Sequence, residues 1–120
     1  MDDIQVFYGE GRYRILLKSF FTLDGLIVTA VGGEKPHVGA AVMAVPGLEH
    51  TLEISVPHHK DAIAFKPMAE YLCKNLGEKV VVTGGIHIAN ASKEEIEILL
   101  NNCLGATEAL ASQIALIRNT

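Results

Sequence analysis

Strand-type patterns fill the first half of the chain, and helix-type patterns dominate the second. Residues 4–8 read as a short strand closed by Gly9 and Gly11. Residues 12–23 form a longer run rich in aromatic and aliphatic side chains. Asp24-Gly25 then separates two apolar runs, a strong signal for a two-residue hairpin, and residues 26–31 are the return strand. Residues 32–36 are a loop. In the next strand, 37–45, one face carries Val38, Ala40, Val42 and Ala44. So many small side chains there predict close packing against another element. Pro46-Gly47 ends that strand. Residues 51–56 alternate, with Leu52, Ile54 and Val56 on one side and Thr51, Glu53 and Ser55 on the other, the pattern of a half-buried strand.

A helix follows over about 60–76, ended by Gly77, with an inner stripe of Ile63, Ala64, Met68, Leu72 and Leu76. Pro67 inside it removes a backbone donor and predicts a kink or a separate first turn. Residues 79–83 are apolar on both faces, as in a central strand. Gly84-Gly85-Ile86-His87-Ile88 comes next. Ser92-Lys93-Glu94-Glu95 spells a capping box that opens a last helix to about residue 117. Its stripe is Ile96, Leu100, Cys103, Leu110, Ile114 and Ile117, and Gly105 weakens it slightly. These elements predict one α+β domain over 1–120. It is a two-layer fold with a mainly antiparallel sheet of five to six strands and two helices on one face.

Composition narrows the function classes. Hydrophobic residues make up 49% of 120 and charged residues 20%, a globular profile with a core large enough to need no disulfide or metal. Ten basic against 14 acidic residues give a net charge of −4, with no basic run, so nucleic acid is not an expected partner. No apolar run is long enough for a bilayer and the start is not leader-like, so no membrane role and a cytoplasmic location are expected. Cys73 and Cys103 stand outside any zinc-ligand spacing and read as reduced, buried thiols.

Connectivity points to one candidate site. Pairing of 26–31 with 37–45, and of 37–45 with 51–56, brings His37 near His58 and His59. A crossover from 51–56 to 79–83 makes these two strands parallel and adds His87. The same sheet end gathers Gly33, Lys35, Gly39, Lys60, Gly85 and Ser92, together with both helix N-termini. Free amides, glycines and imidazoles at one place suit an anion, most simply a phosphate. His50 falls at the opposite end. The residue-by-residue alternative is a set of plug histidines, turn glycines and solvated lysines. A sharper alternative is zinc held by His37, His87 and one of His58 or His59. No nucleophile elbow, P-loop or GxGxxG is present.

Three segments resemble a known family: Gly32-Gly33-Glu34-Lys35-Pro36-His37-Val38-Gly39-Ala40, then Pro57-His58-His59-Lys60-Asp61, then Gly85-Ile86-His87-Ile88 with Glu94-Glu95-Ile96. The chain is similar in them to the prenylated-flavin chaperone, LpdD-like proteins. Pro36-His37-Val38-Gly39 and Gly85-Ile86-His87 match that family's segments. Pro57-His58-His59 lacks its glycine, so either histidine can correspond, and Ala89-Asn90 stands where members often carry an Asp. The resemblance implies a fold like that of proteasome assembly chaperones, commonly paired as dimers. It also implies a partner, a flavin-dependent decarboxylase, and a transient ligand, prenylated FMN or FMN. Three readings follow: a non-catalytic cofactor carrier, a small His-dependent metalloenzyme, and a homodimeric assembly protein.

Overall fold

The computed structural model describes residues 3–58 and 60–119. The strands are β1 (Ile4–Tyr8), β2 (Ile15–Phe21), β3 (Gly25–Gly33), β4 (Ala40–Ala44), β5 (Leu52–Ser55) and β6 (Lys79–His87). Helix α1 (Asp61–Leu76) joins β5 to β6, and helix α2 (Lys93–Arg118) follows β6. All six strands form one sheet in the order β1-β2-β3-β6-β4-β5. Only β3 and β6 pair in parallel; the other pairings are antiparallel.

The sheet is mixed because β6 enters it between β3 and β4. Direct pairing of β3 with β4 was the expectation from their short connection, and it does not occur. Residues 34–39 are long enough to step over one strand, since two strand spacings need only about 10 Å. Val80 and Val82 are fully buried on one face of β6 and Val81 half-buried on the other. That two-sided apolar strand is best covered at the centre. Strand directions are nevertheless as predicted: β5 and β6 point the same way, with β4 between them running against both.

Both helices cover the sheet face bearing Val6, Leu17, Val28, Val42 and Val82. Helix α1 contributes Phe65, Met68, Ala69 and Leu72 to the core, and α2 contributes Leu99, Cys103, Ala106, Leu110 and Ile114. Both stripes therefore run one position off the expected ones in their first turns. Ile63 and Ile96, expected inside, are 63% and 48% exposed. Pro67 does not split α1, which is continuous through it. The carbonyl it frees is that of exposed Ile63, four residues back, where water can reach it. The capping box at Ser92 is present as predicted. Gly105 of α2 is explained by packing, because a Cβ there would collide with the ring of Tyr8.

The opposite sheet face is open. Phe20, Ile27, Val81, Met43 and Leu52 lie in one register row across five strands. Leu52 and Ile54, expected to be buried, lie on this side and are exposed, Ile54 to 77%. The period-two pattern of β5 is real, but its apolar side faces away from the helices.

Close approach of β6 to β3 requires Gly84, whose φ is +129° and whose Cβ would fall on the carbonyl of Ala30. Gly47 also has positive φ but open space around it. Gly47→Ala should cost about 1 kcal/mol from backbone strain alone. Gly84→Ala should cost clearly more, because the strand pairing itself must give. Urea unfolding of both variants checks this; equal costs would mean that the β3–β6 contact is not sterically tight.

Candidate functional site

The carboxyl ends of β3 and β6 meet the start of β4 and the first turn of α1, and a cavity of about 410 Å³ opens there. Its polar lining is His37, His58, Lys60, Asp61 and His87. Its apolar lining includes Ile63 of α1, Ile86 and Ile88 around the end of β6, and Ile96, Leu99 and Leu100 of α2. Cys103 also lines it.

Asp61 organises this end of the molecule. Its side chain is buried. Oδ1 accepts from the Ile86 amide at 2.9 Å, and Oδ2 lies 3.0 Å from His37 Nε2. The other ring nitrogen, Nδ1, lies 3.0 Å from the Lys35 carbonyl, which can only accept. With a carbonyl on one side and a carboxyl group on the other, the protonated ring is the form of His37 that satisfies both contacts as a donor. Its pKa is raised above the ordinary 6.5, first by the Lys35 carbonyl and then by Asp61, against the opposing effect of burial. Gly39 and Gly85 make room for this pair. A Cβ on Gly39 would strike the Asp61 carboxylate, and one on Gly85 would crowd the His37 ring.

His87 meets His37 edge-on, with ring centroids 5.9 Å apart. Its carbonyl accepts from the amides of Glu34 and Lys35 at 2.8 and 3.2 Å, which fixes the loop beneath His37. Gly33 has φ +75°, and a Cβ there would clash with that same carbonyl. His58 and Lys60 are exposed at the mouth. The α2 end is already satisfied: Ser92 Oγ accepts from the Glu95 amide, and Glu95 Oε1 accepts from the Ser92 amide. That amide contact and the Tyr13 hydroxyl hold Glu95 below the usual carboxylate range, and Tyr13 is raised in return. The Cys103 thiol, pushed up to about 12 by burial and then by Asp61, stays protonated at neutral pH.

Of the sequence-derived candidates, His37, His58, Lys60 and His87 share the cavity. Gly33, Gly39 and Gly85 border its polar groups without lining it. The Lys35 side chain and Ser92 are not in the lining either: Lys35 serves through its backbone and Ser92 caps α2. His59 lies outside the described residues. His50 borders a second cavity, built around the turn after β4 and the end of α1. Asp61 was not a candidate, because an acidic residue in the first turn of a helix reads as ordinary dipole compensation. Among the described residues no group of His, Cys, Asp or Glu is arranged to hold a metal.

The chain thus combines a two-layer α+β fold with an amphipathic cavity at the carboxyl end of its central strands. The chain belongs to the prenylated flavin chaperone LpdD-like domain family, whose model matches residues 9–115. Among solved structures it is similar to one described as a novel chaperone complex for yeast 20S proteasome assembly. The TM-score is 0.59 at 12% identity, over 96% of this chain and 95% of that one, a likeness of fold. No protein of curated function matches. No helix among the described residues is long and apolar enough to cross a membrane.

The His37–Asp61 pair makes stability depend on pH. A raised folded-state pKa means its contribution is complete below about 6.5 and fades as pH rises through the higher folded value. Urea midpoints measured from about pH 6 to 8.5 should fall for the native chain. They should be lower and flatter for His37→Gln, which leaves the buried carboxylate without its cation. Parallel profiles would show that the pair is not ionic.

Proposed function

We propose that the protein is a non-catalytic carrier that holds a phosphate-bearing, flavin-type cofactor, prenylated FMN or FMN, and passes it to a flavin-dependent decarboxylase. The observation that carries this reading is the meeting of His58, Lys60 and His87 at the mouth of an otherwise aliphatic cavity. The buried Asp61 charge there is already matched by His37, so Lys60 is left to attract an anion. No side chain caps α1 at Lys60. Gly33, Gly39, Gly85 and Lys35 hold His37 and His87 in place, and Ser92 fixes the facing helix. Family membership supports the chaperone role and the decarboxylase partner. A protonated Cys103 and a doubly bonded His37 fit a carrier better than a catalyst. Two buried free thiols fit a cytoplasmic setting.

Titration with FMN and with prenylated FMN tests the reading. Lys60→Ala with His87→Ala should weaken binding roughly 10- to 100-fold, the scale of lost charge-assisted hydrogen bonds. Absence of binding by either flavin, with normal maturation of the decarboxylase when the protein is missing, overturns it.

The carrier works as a homodimer paired through its open sheet face. The molecule measures 42 × 28 × 20 Å, and the thin direction holds one sheet and one helix layer. A 42 by 28 Å oval covers about 900 Å², against the roughly 800 Å² per partner that a stable interface buries. The register row from Phe20 to Leu52 supplies the apolar centre, and Lys18 is the one charged residue in the next row. Towards the edges Lys79 is paired with Asp24 and Arg14 stacks on Phe7, so the centre of the face is apolar and suits a second copy of itself. Sedimentation should show a dimer. Phe20→Glu, at a site 55% exposed in the single chain, should give a folded monomer. A native chain that stays monomeric at high concentration overturns the pairing.

A further inference from the structure

We infer that the cavity takes the aliphatic part of its ligand, a short branched hydrocarbon group, and keeps the phosphate at His58, Lys60 and His87 on the rim. This rests on the reading of the cavity as a cofactor site and goes further by saying which part of the ligand it selects. The walls are Ile63, Ile86, Ile88, Ile96, Leu99 and Leu100. They are branched and aliphatic, and no Phe, Tyr or Trp is among the described lining residues. Such walls give close dispersion contact to a branched chain and offer a flat ring no stacking partner.

A second observation comes from the helices. Ile63 and Ile96 sit at positions whose helical spacing called for burial, yet in the free chain both are largely exposed. They stand on the first turns of α1 and α2, and both line this cavity. A hydrocarbon group lodged between them would remove from water the apolar surface that the core leaves out. The polar groups are segregated to match: four of the five polar lining residues come from the segment before β4, the stretch before α1 and the end of β6. The fifth, Asp61, is turned onto His37 and the Ile86 amide. The ligand class is therefore a phosphate ester with a short branched alkyl or alkenyl group, either free or carried on a prenylated flavin.

Calorimetry on the full chain with methyl phosphate, 3-methylbutyl phosphate, FMN and prenylated FMN tests this. The branched ester should bind about 100-fold or more tightly than methyl phosphate, since each buried carbon is worth roughly a factor of four. Ile63→Ala with Ile96→Ala, both at exposed positions, should cost the branched ester at least about tenfold and leave methyl phosphate unchanged. Prenylated FMN binding much more tightly than FMN supports the flavin-borne source. Equal flavins with a tight free ester support the free source. Equal affinities for the two simple esters, or a double variant that binds the branched ester normally, overturn the inference even if FMN binds. Tight binding of the branched ester with no binding of either flavin upholds the inference and overturns the flavin carrier.

Discussion

One buried carboxylate holds the functional end together. Asp61 opens α1, yet its two oxygens reach the Ile86 amide of β6 and the His37 ring in the segment before β4. Three stretches far apart in the chain are thereby tied at one point. A carboxylate out of water is costly unless its oxygens are matched by donors, and here a backbone amide and the His37 ring supply them. The requirement propagates outwards. The His37 ring is held by the Lys35 carbonyl, the loop at 34–35 needs the His87 carbonyl to hold its shape, and Gly39 and Gly85 must lack side chains. Residues that look like separate ligand candidates are parts of one support.

This explains why the cavity has two characters. The buried part of the polar wall is fixed by hydrogen bonds, with Asp61 against His37 and the Ile86 amide and His37 against the Lys35 carbonyl, while His58 and Lys60 stand exposed at the mouth. The aliphatic wall comes from the first turns of two helices whose later turns pack on the sheet. Burial runs along Phe65, Met68 and Leu72 in α1 and along Leu99, Cys103 and Leu110 in α2. The first turns carry one isoleucine each that the core does not use.

Much of this was legible in the chain. Period-two and period-3.6 patterns, Asp24-Gly25 and the Ser92 capping box placed the elements. Strand direction brings His37, His58 and His87 together although β6 and not β4 is the neighbour of β3, because direction survives the insertion of β6 while adjacency does not. What stayed hidden is tertiary. Nothing local distinguishes an acidic first-turn residue that faces water from Asp61, which faces a histidine 24 positions away. Nor does alternation in β5 say which side of the sheet its apolar residues will meet. The glycines suggest room for a ligand in the sequence, but in the fold they make room for the protein's own ring, carboxylate and carbonyl.

The place of β6 bears on how the molecule comes into being. Strands β1 to β3 form one antiparallel unit and β4 with β5 another, and nothing pairs the two until β6 lies between them. During synthesis the inner edges of both units wait, unpaired, while α1 and the strand after it are made. The last residue of that strand is His87, so closing the sheet and completing the polar wall are a single event. A nascent chain halted before that point carries two sticky edges and no ligand site.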